Sequence, residues 1–329
     1  MKVINQKRLA ELAGVSVSTV SKAFSNSHEI SEATRRHIFA LAKKHGCFDK
    51  YCSEQYGTKT VAIISPEFSN NVYTNGIEYL EQRLRDKGYI ALLAFYNYSD
   101  GNIEKLVNYF TEYAHVDGII LMGGEFASQV RAGSVPIVCY GGSPGHNPYI
   151  DIFRSEYRFA VSEAVGYLHA LGHRDIAFVG ELLTDAKLDY FKEAMKNNNL
   201  KINDSFIRIS HARCEEAGFT ETEKLIGMTR RPTAVICAYD TIAFGVINAI
   251  KANGLDVPSD FSVIGMNNVK QSTYSGIELT TIQEIPNELY DMMFELLCKR
   301  MNGSNVPRQT VTLYGEFVRR NSAAPPHTV

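Results

Sequence analysis

Residues 9–22 read Leu9-Ala10-Glu11-Leu12-Ala13-Gly14-Val15-Ser16-Val17-Ser18-Thr19-Val20-Ser21-Lys22. Asn5 is a good cap for a helix running from Gln6 to Ala13, in which Leu9, Leu12 and Ala13 share one face at i, i+3, i+4 spacing. Gly14 breaks that helix, because glycine tolerates the positive φ of a tight inter-helix turn. Val15 plugs the corner. Ser16 caps a second helix, Val17 to Phe24, with Val20 and Phe24 facing inward and Ser18, Ser21 and Lys22 outward. After a polar loop, Ser31 caps a third helix carrying Ala33, Ile38, Leu41 and Ala42, and Gly46 ends it. Two short helices joined by a glycine turn, the second rich in small hydroxyls, form a helix-turn-helix pattern. Short Ser and Thr side chains let a helix approach a duplex closely, and Lys22 is long enough to reach a guanine edge.

Charge points the same way. The net charge of −2 over 329 residues hides 10 Lys/Arg against 5 Asp/Glu in residues 1–60, leaving 24 basic and 31 acidic residues beyond. A small basic head on an acidic body suits a nucleic-acid-binding module attached to something else. A structural bundle with merely exposed serines has the same helices but no need of the basic excess. With 45% hydrophobic and 21% charged residues the chain has globular composition, and its length suits about two domains. No run of 18 apolar residues marks a membrane span, and the N-terminus lacks the apolar core of a signal peptide. Six cysteines without framework spacing suit a reduced, cytoplasmic protein.

The residue 9–22 stretch resembles the N-terminal signature of the lactose-repressor (LacI/GalR) family of bacterial transcription regulators, and Ser31-Glu32-Ala33-Thr34-Arg35 resembles the start of that family's third helix. The resemblance implies that Val17, Ser18 and Lys22 read bases while Ser16, Thr19, Ser21, Ser31 and Thr34 hold phosphates. It also implies a hinge helix that wedges a Leu into the minor groove. Here the linker, residues 46–59, has Asp49 where the family has Pro and Tyr56 where it has that Leu. Tyr56 could still unstack a base step, but its hydroxyl and the neighbouring Glu54 suit the role less well. Cys47, Cys52 and His45 lack a second ligand cluster at zinc spacing, so no metal is expected.

From residue 60 onward, short apolar runs alternate with helical patterns. Residues 61–64, 90–94, 118–122 and 136–140 read as buried parallel strands, and the rhythm restarts at 175–179, 206–209, 234–237 and 262–265. This predicts an α/β body of two doubly wound parallel-sheet subdomains facing each other across a ligand cleft. The resemblance extends through Val116–Ile120, Leu171–Gly180, Arg231–Val235, Val257–Gly265 and Leu279–Ile282, and implies a periplasmic-binding-protein-like effector domain. The expected organisation is a DNA-binding head over 1–45, a linker over 46–59, an effector-binding and dimerisation body over 60–321 and a tail over 322–329.

Catalysis finds no support. Gly141-Gly142-Ser143-Pro144-Gly145 matches a nucleophile elbow formally, but Pro144 has no N–H for an oxyanion hole. The first strand is followed by Ser65-Pro66-Glu67, not by a dinucleotide-binding glycine loop. His169 and His173 are split by Gly172 and so do not form a metal pair, and no cofactor is implied. Carried over by resemblance, Ser69, Tyr73, Tyr239 and Asp240 are effector contacts. So are three departures: Lys187 in place of an Arg, Asn267 in place of a hydroxyl-binding Asp, and Arg213 near a stacking aromatic. Because the last two changes add positive charge, the expected effector is a sugar or an anionic derivative, a sugar phosphate or acid. The chain reads as a homodimeric regulator, more a repressor than an activator, on a near-palindromic operator. The rival reading is a small-molecule sensor with weakened DNA binding. The amphipathic segment 288–301 and helices near 75–85 are candidates for dimer contact or core.

Overall fold

The computed structural model describes residues 4–25, 27, 29–48, 51, 59–99, 101–124, 135–141, 147, 149–274 and 276–327. Tyr56, and with it the hinge wedge, lies outside the described residues.

The head is three helices, α1 (Gln6–Ala13), α2 (Val17–Phe24) and α3 (Glu32–Lys44). Each begins on the expected cap: Asn5 Oδ1 accepts from the Arg8 N–H, Ser16 Oγ from Thr19 and Ser31 Oγ from Thr34. Gly14 takes the left-handed turn at φ 65°. Leu9, Ala10, Val20, Ala23, Phe24, Ile38 and Ala42 form the core. Leu12, expected inside, is exposed. At about 100° per residue the buried arc centres between Leu9 and Ala10, which turns Leu12 away. The head also does not stop at residue 45. Cys47, Phe48 and Tyr51 pack on Phe24, and the Tyr51 hydroxyl donates to the Ile4 carbonyl at 2.8 Å.

The body holds two parallel sheets. The first contains β1 (Thr60–Ser65), β2 (Ile90–Phe95), β3 (Gly118–Met122), β4 (Ile137–Tyr140), β5 (Asp151–Glu156) and β11 (Thr310–Tyr314), in the order β11-β5-β4-β3-β1-β2. The second contains β6 (Ile176–Glu181), β7 (Ile207–Ser210), β8 (Ala234–Cys237) and β9 (Ser262–Ile264), in the order β7-β6-β8-β9. Every expected strand forms, most in uninterrupted apolar runs that suit sheets covered on both faces, while β7 carries Arg208 and β2 is half exposed at the edge of its sheet. The covering helices are α4 (Asn71–Asp86) and α5 (Asn102–Asn108), then α6 (Arg158–Leu171), α7 (Asp185–Asn197), α8 (Cys214–Ile226) and α9 (Asp240–Ala252).

The chain crosses between the sheets three times: after β5, after β10 (Thr281–Gln283) and before β12 (Glu316–Val318), which pairs antiparallel with β10. Between the last two crossings, α10 (Asn287–Met301) and β11 return to the first subdomain. There Leu289, Tyr290, Met293 and Leu297 bury against Ile77, Leu80 and Leu84 of α4, which makes both segments core. The three crossings lie side by side. A Cβ on Gly315 would stand 2.8 Å from the Gln283 carbonyl oxygen and 2.9 Å from the Tyr157 Cβ, so only glycine lets them touch.

The expected tail is partly structural. Ser322 is fully buried, accepts from the Thr280 N–H and donates to the Val263 carbonyl. The Ala324 carbonyl meets His173 Nε2 at 2.9 Å, while His173 Nδ1 pairs with Thr233 Oγ1. His173 is thus a buried strut whose pKa burial lowers. Among the described residues no helix is long and apolar enough to cross a membrane, and no cluster could hold a metal ion.

Candidate functional site

Two surfaces collect the expected site residues. On the head, the N-terminus of α2 carries three hydroxyls and that of α3 two. Ser16 Oγ lies 2.7 Å from Ser18 Oγ and 2.8 Å from Thr19 Oγ1, and Ser31 Oγ lies 2.8 Å from Thr34 Oγ1. Unpaired N–H groups, the positive end of the helix dipole and hydroxyl donors together suit phosphate oxygens. Val17 is exposed on the same turn of α2, an apolar side chain that suits a thymine methyl. Ser21 is exposed further along the helix.

Lys22 is not free. Its ammonium pairs with Glu29 in the loop between α2 and α3, and the hydrogen bond from Lys22 holds the Glu29 carboxyl below its ordinary pKa. Glu29 escaped the sequence reading because it lies seven residues from Lys22 in a loop without periodicity. Arg35 fixes that loop by donating to the Ser27 carbonyl at 2.8 Å.

The second surface is the cleft, formed by loops after the strand ends. Arg213, following β7, extends across it. Its Nη1 and Nη2 donate to both oxygens of Glu67 at 3.0 and 2.8 Å, and its Nε donates to Glu181 at 3.0 Å. Glu67 belongs to the first subdomain, Glu181 and Arg213 to the second. Glu67 also accepts from Ser69 Oγ at 2.6 Å and from the Tyr98 hydroxyl at 2.8 Å. Burial pushes its pKa up, but the bonds from Ser69, Arg213 and Tyr98 together pull it below the ordinary value. Tyr73 hydrogen-bonds Tyr98, so Ser69, Tyr73 and Arg213 do converge.

Lys187 repeats the pattern. Its ammonium donates to Glu284 at 2.7 Å, where the Asn267 amide also donates at 2.6 Å, and it lies over the rings of Tyr157 and Tyr239 at 5.5 and 6.0 Å. Asn267 fits because an Asp there would set two carboxylates against each other, and because Asn tolerates its φ of 100°.

Asp240 is corrected from effector contact to support. It is fully buried, accepting from Thr281 Oγ1 at 2.6 Å and from the Val269 N–H at 2.8 Å. The expectation of a basic cleft is corrected too: Arg213 and Lys187 are matched by Glu67, Glu181 and Glu284, so carboxylates outnumber cations among the described residues. Those three glutamates were missed. Their one signal was acidic residues at or just beyond strand ends.

Comparison with known proteins agrees with this geometry. Residues 7–47 match the family described as bacterial regulatory proteins, lacI family, and residues 165–323 match the periplasmic binding protein-like domain. The HTH-type transcriptional repressor PurR of Vibrio parahaemolyticus is 27% identical over 335 residues, covering 96% of this chain and 97% of that one. Catabolite control protein A of Priestia megaterium is 29% identical, covering 93% and 95%. Among solved structures, the lac repressor dimer bound to operator and the anti-inducer ONPF superposes with a TM-score of 0.72 at 22% identity, covering 98% of this chain and all of that one. A lacI-family regulator from Enterococcus faecium with bound ribose gives 0.68 at 22% identity, covering 81% and 99%. At that identity the two structures establish the fold. Residues 7–47 thus carry a lacI-family DNA-binding head and residues 165–323 a periplasmic-binding-protein-like body, and the relatives PurR and catabolite control protein A, similar over nearly the whole chain, are transcriptional regulators.

Proposed function

We propose that this protein is a homodimeric repressor that reads a near-palindromic operator and is controlled by a sugar-type effector held in the cleft. The observation that carries the DNA reading is the pair of hydroxyl-flanked helix N-termini beside the exposed Val17 and the Glu29-paired Lys22. Ser16, Thr19, Ser21, Ser31 and Thr34 hold phosphates, while Val17, Ser18 and Lys22 meet base edges. A second copy is supported by the open edge of the first sheet, where β2 exposes Ile90 and Leu93 and the following helical segment exposes the stacked rings of Tyr109 and Tyr113. Two heads then meet two half-sites.

The cleft suits a hydroxyl-rich ligand without net negative charge, because Arg213 and Lys187 are already paired and a further anion would face Glu67, Glu181 and Glu284. Ribose bound to the Enterococcus faecium relative is of that class. Such a ligand controls the heads only through different affinities for the open and closed cleft. Selection of bound duplexes from a random pool tests the reading. Two inverted half-sites are expected, and a pool that stays random contradicts it.

A further inference from the structure

The middle of the cleft is built as a cation site whose occupant is the protein's own arginine. The guanidinium of Arg213 lies between carboxylates from opposite subdomains, Glu67 and Glu181, and 5.6 Å from the ring of Tyr98. Both glutamates are more than nine-tenths buried, whereas the Arg213 side chain keeps 37% of its surface exposed. The carboxylates are therefore the fixed part and the arginine the removable one. Next to it, Lys187 occupies a second such place, between Glu284 and the rings of Tyr157 and Tyr239. Carboxylates combined with aromatic faces are the surroundings in which ammonium groups bind.

Two buried atoms support the same chemistry independently. The hydroxyl of Tyr239, a residue 5% exposed, and the amide oxygen of Asn267 make no hydrogen bond of ordinary geometry. Asn267 Oδ1 can only accept, so its missing partner is a donor, and Tyr239 Oη, whose proton has the Glu181 carboxylate nearby, has lone pairs left to accept from one. With Glu67, Glu181 and Glu284 against Arg213 and Lys187, the described part of the cleft also has negative charge to spare.

Resting on the cleft as the effector site, we infer that the effector carries an ammonium group, which takes the place of the Arg213 guanidinium between Glu67 and Glu181. The free arginine then turns toward the cleft mouth, where it is already part-exposed. An amino sugar and a polyamine share this chemistry and differ in the hydroxyls they offer.

The test is a thermal-shift series on the full chain at matched ionic strength with glucose, glucosamine, N-acetylglucosamine, glucose 6-phosphate and spermidine. Glucosamine, spermidine or both are expected to raise Tm by about 2 °C or more, and glucose, N-acetylglucosamine and glucose 6-phosphate to do less. Which of the two amines acts identifies the source. Arg213→Ala removes the internal competitor and is expected to tighten amine binding about tenfold, while Glu181→Gln abolishes it. Stabilisation by the neutral or phosphorylated sugars alone, lost in Glu181→Gln, overturns the ammonium inference and leaves the cleft as effector site. Amine stabilisation unchanged in both variants places the ligand elsewhere and overturns both readings, as does the absence of a shift with every compound.

Discussion

Arg213 and Glu67 meet as a bidentate pair across the cleft, 146 residues apart in sequence, and tie one subdomain to the other. A charge-assisted fork of this kind holds an orientation as well as a distance. It holds the two sides of the cleft together, so an effector that binds between Glu67 and Arg213 competes with an internal contact.

Breaking that pair is expected to open the cleft. Glu67→Gln should lower stability by about 1–3 kcal/mol, toward the lower end because Arg213 is partly solvated. Small-angle scattering should show a larger radius of gyration than wild type. An unchanged radius with unchanged Tm contradicts a closing role.

Gly315 controls the crossings. Gly315→Ala forces a Cβ against the Gln283 carbonyl and Tyr157, contacts of 2.8 and 2.9 Å that backbone must relieve. A loss of about 1–3 kcal/mol is expected in chemical denaturation, with effector response reduced more than operator affinity. A variant as stable and responsive as wild type shows that the three segments tolerate separation.

Asp240 makes stability depend on pH. Burial pushes its carboxyl up to about 7, against the bonds from Thr281 and Val269. Between about pH 4 and 7 the folded chain keeps a proton there that the unfolded chain has released, so this group's contribution falls as pH rises through that window. Asp240→Asn stays neutral and matches the protonated form. Its Tm relative to wild type should climb between pH 4 and 7.5, and a flat difference contradicts the assignment.

Glu29 restrains Lys22 in the free head. Glu29→Gln should strengthen binding to any duplex and steepen the salt dependence by roughly one phosphate contact. Anisotropy titrations at two salt concentrations measure both, and weaker binding would mean that Glu29 contributes to recognition directly.

The helix-turn-helix head was legible because caps, turn glycine and apolar spacing act within a few residues, as Asn5, Gly14 and Ser16 show. The strands were legible as apolar runs. What escaped was long-range. β11 reads Thr-Val-Thr-Leu-Tyr and is half exposed at a sheet edge, so nothing local announces its return to β5. The positive charge of Arg213 and Lys187 was visible, but its cancellation depended on Glu67 and Glu284, which only the folded chain brings near. Ser322 and Ala324 likewise look like tail until Ser262, His173 and Thr280 come to meet them.

The central claim is sequence-specific reading by α2. Its most direct test compares wild type and Lys22→Ala on the selected duplex and on a scrambled duplex of the same composition, by anisotropy at fixed salt. The account predicts a loss of about 1–3 kcal/mol on the selected duplex, relaxed preference at one base position and little change on the scrambled one. Equal affinity of the intact protein for both duplexes, falling together with salt, would contradict it.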